Sequence, residues 1–146
     1  MDFQFKNSFS MEKRLLPTAG LIVVQDHKLL LAYSKNKKAW YLPGGKIDAG
    51  EDSVTSLQRE IQEELNIQLD IDRITFYCHI TAPAYGEASH IIMEQDCFMY
   101  EMTEDIQPSN EIEAVKFFDL ATYQLEEAQV VGVIAVFEKL AADSLL

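Results

Sequence analysis

The chain has 146 residues, enough for one domain with a buried core, and its make-up is ordinary for a globular protein: 48% hydrophobic and 25% charged. Twelve basic against 24 acidic residues give a net charge of −12, which excludes the basic footprint that nonspecific binding to a nucleic acid polymer requires. The same charge repels a phosphorylated ligand at long range, so an anionic substrate implies a positive group beyond the side chains, and a metal ion is the obvious one.

The N-terminal MDFQFKNSFSMEKRLL has no basic region followed by an apolar core and cleavage site, and the longest nearby apolar run, Ala19 to Val24, is far too short to cross a bilayer. Residues 1–12 are expected to be a loosely held extension, with Met11 an alternative start, and residues 13–146 to form a single domain. LLPTAGLIVV (15–24) and KLLLAYS (28–34) are apolar and β-prone, and the intervening Gln25-Asp26-His27 predicts a hairpin. WYLPGGK (40–46) predicts a short strand ending in a turn at Pro43-Gly44-Gly45. Asp52 is the expected N-cap of a helix to about Leu65, with Val54, Leu57, Ile61 and Leu65 as its apolar stripe and Asn66 in the left-handed position after it. Residues 67–81 and 90–102 predict two long strands, 111–120 a further one, and Val130, Val133, Ile134, Phe137 and Leu140 the apolar face of a closing helix. This order predicts an α+β fold with a mixed sheet packed between helices. Cys78 and Cys97 lie in apolar strands and are expected to be buried thiols of a reducing, cytoplasmic setting.

The helix raises a problem at its end. In Arg59-Glu60-Ile61-Gln62-Glu63-Glu64-Leu65, Glu60 faces Glu63 at i,i+3 and Glu64 at i,i+4. Each like-charge pair costs about 0.2–0.5 kcal/mol, and the helix C-terminus disfavours negative charge further. Glu60 and Glu64 border the apolar stripe, so they face the rim where helix meets sheet. Clustered carboxylates at a rim are the ligand set of a hard divalent cation, although such a run on its own is more often a solvated acidic face.

The wider stretch GGKIDAGEDSVTSLQREIQEELNI resembles the signature of the Nudix hydrolases, G-x5-E-x7-R-E-U-x-E-E-x-G-U with U a bulky aliphatic residue. Gly45, Glu51, Arg59, Glu60, Ile61, Glu63, Glu64 and Ile67 match; Asn66 stands where the family has glycine. Asn tolerates a positive φ second only to glycine, so the departure touches the helix end rather than the carboxylates. The order of elements from about residue 13 to 142 is similar to the whole Nudix domain. The resemblance implies a mixed β-sheet sandwiched between α-helices (α/β/α), with the box as loop–helix–loop. It further implies hydrolysis of the diphosphate linkage of a nucleoside diphosphate joined to another group, with Mg²⁺ or Mn²⁺ as cofactor.

Carried onto this chain, the resemblance makes Glu60, Glu63 and Glu64 metal ligands, with the Gly45 carbonyl a further one. Arg59 and Glu51 become a supporting pair, the guanidinium fork holding the carboxylate. In parts of the family the general base stands outside the box, and Glu111 is the preferred candidate here, ahead of Glu94, Glu113 and Glu87. Lys46 and Tyr85 are candidates for substrate contact, while Trp40 is read as a core anchor and His27, His79 and His90 show no ligand spacing. Pro83 and Tyr85 follow the box at distances that in the family point to ADP-sugars and to dinucleoside polyphosphates respectively, so neither mark decides. The chain's size resembles the housecleaning members that cleave nucleoside triphosphates. The expected partner is therefore a small nucleotide, with no membrane and with a homodimer allowed, dimers being common in the family. A noncatalytic nucleotide-sensing module is the rival, opposed by the intact glutamates and by the lack of any winged-helix segment.

Overall fold

A computed structural model describes residues 12–146; residues 1–11, with the expected extension and the alternative start, lie outside the described residues. The strands are β1 (Arg14–Ile22), β2 (Val24–Gln25), β3 (Lys28–Ser34), β4 (Ala39–Tyr41), β5 (Gly44–Lys46), β6 (Thr75–Pro83), β7 (Ile91–Met99) and β8 (Ile112–Phe118). The helices are α1 (Ser53–Leu65), α2 (Leu120–Tyr123) and α3 (Val131–Ala142), with a 3₁₀ turn at Ile71–Arg73. One sheet runs β5-β1-β7-β6 and is mixed: β1 is parallel to β7 and antiparallel to β5. The second is antiparallel, with β2 and β4 along one edge of β3 and β8 along the other.

Alternation along the strands sends side chains into two cores, the period-2 rule at work on both faces. Ala19 and Leu21 of β1, and Val23 just after it, join Leu57, Ile61 and Leu65 of α1, while Ile22 points the other way. On β3, Leu30 and Ala32 belong to the α1 core, and Leu29 and Leu31 to the core of α3, with Val133, Val136, Phe137 and Leu140. Each such fully buried aliphatic stabilises the fold by about 1.5–3 kcal/mol. The result is the expected α/β/α sandwich of α+β class. Trp40 packs edge-on against Tyr33 and Phe118, at centroid distances of 5.2 and 5.0 Å, as a core anchor. Cys78 and Cys97 are buried free thiols facing each other across β6 and β7.

Four local expectations are corrected. Residues 15–24 do not pair as one hairpin arm: β1 joins the mixed sheet, and only Val24–Gln25 turns back on β3. The turn there is Asp26-His27, both at positive φ (51° and 60°), the two-residue hairpin geometry that matches strand twist. Residues 40–46 split between sheets, β4 going to one and β5 to the other. The strand expected from residue 67 begins only at Thr75, because the Asp70 side chain accepts from the Asp72 amide and starts the 3₁₀ turn. The short helix α2 was not anticipated; Asp119 caps it through the Thr122 amide at 2.8 Å.

Candidate active site

Helix α1 is started by Asp52, whose carboxylate accepts from the Thr55 amide at 2.8 Å, and is stopped by Asn66 at φ 58°. Between these caps the helix lays Leu57, Ile61 and Leu65 on the sheet, and this fixes where its glutamates stand. Glu60 and Glu64 come out over β5 and line a cleft of about 450 Å³ between the two sheets. Gly45 lets Glu60 approach: any Cβ at that position would collide with its carboxylate. Gly44, at φ 137°, takes a backbone form that only glycine adopts freely.

The β1–β5 ladder decides which peptide groups of this turn face the helix. The Leu21 amide donates to the Pro43 carbonyl at 2.8 Å and the Ile47 amide to that of Pro17 at 3.0 Å. Bonded pairs alternate along an antiparallel ladder, so Ala19–Gly45 is the bonded pair between them and the Gly45 carbonyl turns onto β1. The Gly44 amide, released from the ladder, donates instead to Glu64 Oε1 at 3.0 Å.

Two electrostatic environments result. Arg59 grips Glu51 with two parallel bonds, Nε to Oε2 at 2.8 Å and Nη2 to Oε1 at 2.9 Å. Its Nη2 also donates to the Lys46 carbonyl at 3.1 Å, and Nη1 lies 3.5 Å from carboxylate oxygens of both Glu60 and Glu63. Asp48 adds a contact to Nη2 at 3.3 Å, and its amide donates to Glu51 Oε1. This fork holds the Glu51 carboxyl down to about 2. Glu64 is the opposite case. Burial pushes it up to about 8, against the pull of the Gly44 amide, and the charges of Glu60, Glu111 and Glu63 add to the rise. Glu60 is raised as well, chiefly by burial, with Arg59 opposing.

The cleft also gathers residues from other elements. Glu111 reaches it from the segment before β8, and its Oε1 accepts from the Ser34 hydroxyl at 2.8 Å. Lys46 and Tyr85 line it, Tyr85 edge-on to Tyr41 at 6.0 Å. Lys37 crosses its mouth to Glu87 at 2.7 Å. Glu94 is not among the lining residues; it is held by His79 Nε2 at 2.7 Å, and Asp96 takes the other ring nitrogen at 2.8 Å. Glu113 does not line the cleft either, and Glu63 is half-exposed and leans on Arg59. Among the described residues no three His, Cys, Asp or Glu side chains converge on one ready-made cation point.

Sequence reasoning missed several participants. The Gly44 amide was hidden in a stretch read as a turn, the Asp48 carboxylate stands at an unspecified position of the box, and Ser34, Lys37, Thr18 and Gln95 carry no motif. Asn66 was expected as the left-handed end of the helix and as the departure from the box, but its side-chain bonds were not foreseen. Its side chain ties the helix end to the segment before Glu111, donating to the Gln107 carbonyl and to Ser109 Oγ at 3.0 Å.

A model of the NUDIX domain matches residues 14–136. The chain belongs to the Nudix family. A MutT-like protein of Streptomyces ambofaciens is 35% identical over 57 residues, which make up 39% of this chain and only 37% of that relative. The Nudix fold recurs in the MutT protein of Methanosarcina mazei Go1, with a TM-score of 0.73, 19% identity, and 92% of this chain and 99% of that one covered. An Ap4A hydrolase of C. elegans, crystallised as a binary complex, superposes with a TM-score of 0.65 at 24% identity, covering 87% and 96% of the two chains.

Proposed function

We propose that this Nudix chain is a Mg²⁺- or Mn²⁺-dependent pyrophosphohydrolase that cleaves the diphosphate linkage of nucleoside triphosphates. The observation that carries the reading is Glu64, a cleft-facing carboxylate pushed up to about 8 beside a second raised one, Glu60. Two carboxylates in want of positive charge, with no lysine or arginine among the described residues matched to Glu64, fit a hard oxygen-seeking cation. Glu60 and Glu64 are the principal ligands in this proposal, Glu63 the third, and the Gly45 carbonyl keeps one lone pair for the same ion. A divalent ion bound there supplies neutralisation of the charge that grows on the phosphate oxygens as the anhydride breaks.

The remaining roles belong to the chain. Glu111, oriented by the Ser34 hydroxyl, takes the proton of the attacking water as general base. Arg59, clamped by Glu51, positions the carboxylate row and does not itself touch phosphate. Lys46 at the cleft edge contacts a phosphate, and Tyr85 contacts the distal part of the substrate. A dinucleoside polyphosphate is the second reading, favoured by the Tyr85–Tyr41 pair, whose faces offer a stacking platform for a second base at the mouth. The net charge of −12 and the buried free thiols support a small nucleotide partner, not a polymer, and a cytoplasmic setting. The test is a screen of nucleoside triphosphates, nucleotide sugars and dinucleoside polyphosphates with Mg²⁺, with products identified. No cleavage of any of them, or full turnover in Glu64→Gln, sinks the proposal.

A further inference from the structure

Next to β5, the floor of the cleft is made by neighbouring residues of β1 and β7. Thr18 and Gln95 are partners in the parallel register, so their side chains stand side by side on strands about 4.8 Å apart. Thr18 is 7% exposed and Gln95 9%, and both line the cleft. Thr18 Oγ1 is a buried hydroxyl without a hydrogen-bond partner among the described residues. A buried polar group in that state costs about 1–3 kcal/mol, and in a native fold it asks for an explanation. A ligand that supplies the missing bond is one.

The amide of Gln95 is held in place. It lies across Gly20, where any Cβ would crowd its Cδ and Nε2 at 3.0 Å, and the Cys97 thiol faces its Oε1 at 3.7 Å. With Oε1 turned to the thiol, Nε2 is the atom left for a guest, and it can only donate. Around the pair stand Leu16, Leu42 and Met93, and Lys46 faces Thr18 from β5 on its other side. The recess is thus apolar on the β7 side of Thr18, with a fixed donor beside a hydroxyl that can accept.

We propose that Thr18 and Gln95 read the edge of the substrate's nucleobase and select a ring carbonyl flanked by N–H over an amino group at the same place. The inference rests on the nucleotide reading above. The carbonyl accepts from Gln95 Nε2 and the ring N–H donates to Thr18 Oγ1. An amino group there would meet Nε2 donor against donor. The choice is therefore between oxo bases, such as hypoxanthine, and amino bases, such as adenine, which differ at one edge only.

Binding of inosine and adenosine monophosphates, measured by titration calorimetry with Mg²⁺ present, tests this without any bond being cleaved. Wild type is expected to favour the inosine compound by about tenfold or more, the discrimination a site built for hydrogen bonds readily gives. Thr18→Ser keeps the preference, whereas Thr18→Val and Gln95→Leu each cut it to about threefold or less, as loss of one bond requires. Equal affinities in wild type, a preference that survives both deletions, or failure of both compounds to bind overturns the proposal. Discrimination by a chain that hydrolyses nothing would leave this inference standing and remove the hydrolase reading; hydrolysis without discrimination would do the reverse.

Discussion

Glu51 and Glu64 belong to the same box and have the same side chain, yet one is held at about 2 and the other pushed up to about 8. The difference lies in their partners. Glu51 has the whole fork of Arg59 and the Asp48 amide, so its charge is matched within the protein. Glu64 has burial, one backbone amide and three other carboxylates nearby. One carboxylate is finished by the fold, and the other is finished only by something that arrives. A helix end that is poor as a helix end is thereby explained: the repulsion is tolerated because Leu57, Ile61 and Leu65 anchor α1 from its other face.

The sharpest way to break the contrast is to remove the unmatched charge. Glu64→Gln is expected to lower kcat/KM by at least about a hundredfold, since even the outer-shell partners of metal ligands cost 10–100-fold. Glutamine keeps the bond from the Gly44 amide, so the fold is preserved; an unchanged melting temperature with full activity would show that Glu64 holds no ion. Next in size is the matched pair. Arg59→Lys keeps the positive charge but loses the fork, and about a tenfold loss of activity with weakened Mg²⁺ affinity is expected. If Glu51→Gln and Arg59→Lys leave Mg²⁺ affinity untouched, the pair is scaffolding alone.

The two carboxylates also predict opposite pH behaviour in the metal-free protein. A carboxyl raised in the folded state holds its proton there after the unfolded chain has released its own, near the ordinary value of 4.5. Stability from Glu64 is therefore present below about 4.5 and lost as pH rises toward about 8. Glu60, raised in the same sense, adds to the loss. Glu51, held down at about 2, contributes above 4.5 and loses that contribution only as pH falls toward 2. In EDTA the melting temperature should fall between pH 5 and pH 8.5, Glu64→Gln should flatten most of that slope, and Glu51→Gln should not. A rise of melting temperature across that interval in EDTA would show that the burial of Glu64 does not act as described.

How much of this the sequence held depends on the range of the forces involved. The box was legible because its residues interact within a helix and its two caps: Asp52, the apolar stripe and Asn66 are all where local spacing puts them. The pairing of Arg59 with Glu51 came only with the family resemblance, and nothing in composition pointed to it. The Gly44 amide was illegible, because its freedom depends on the register of β5 against β1, a long-range fact. The same holds for Thr18 and Gln95, adjacent in space but 77 residues apart in the chain. Strand extents failed where a single polar side chain competed with the ladder, as Asp70 does before β6.

The smallest expected effect concerns the box's one departure. Asn66 at φ 58° does what the family's glycine does for the backbone, and the Asn66 amide closes α1 on the Gln62 carbonyl at 3.2 Å. A glycine there would keep that turn but lose the side-chain bonds to Gln107 and Ser109. The segment so tied is held elsewhere too: the Ser109 amide donates to the Glu64 carbonyl at 2.9 Å, and Ser109 Oγ and Asn110 Nδ2 both donate to that of Glu63. Asn66→Gly is therefore expected to cost no more than about 1 kcal/mol, the worth of an exposed bond or so. Asn66→Ala loses the same bonds and lacks the polar side chain that eases Asn into the left-handed form, which adds about 1–2 kcal/mol. Chemical denaturation of the two variants separates backbone from side chain: equal losses would mean that the tether, not the positive φ, is what Asn66 provides. Since the tethered segment leads directly to Glu111, a tether that matters should also appear as a lower kcat in both variants.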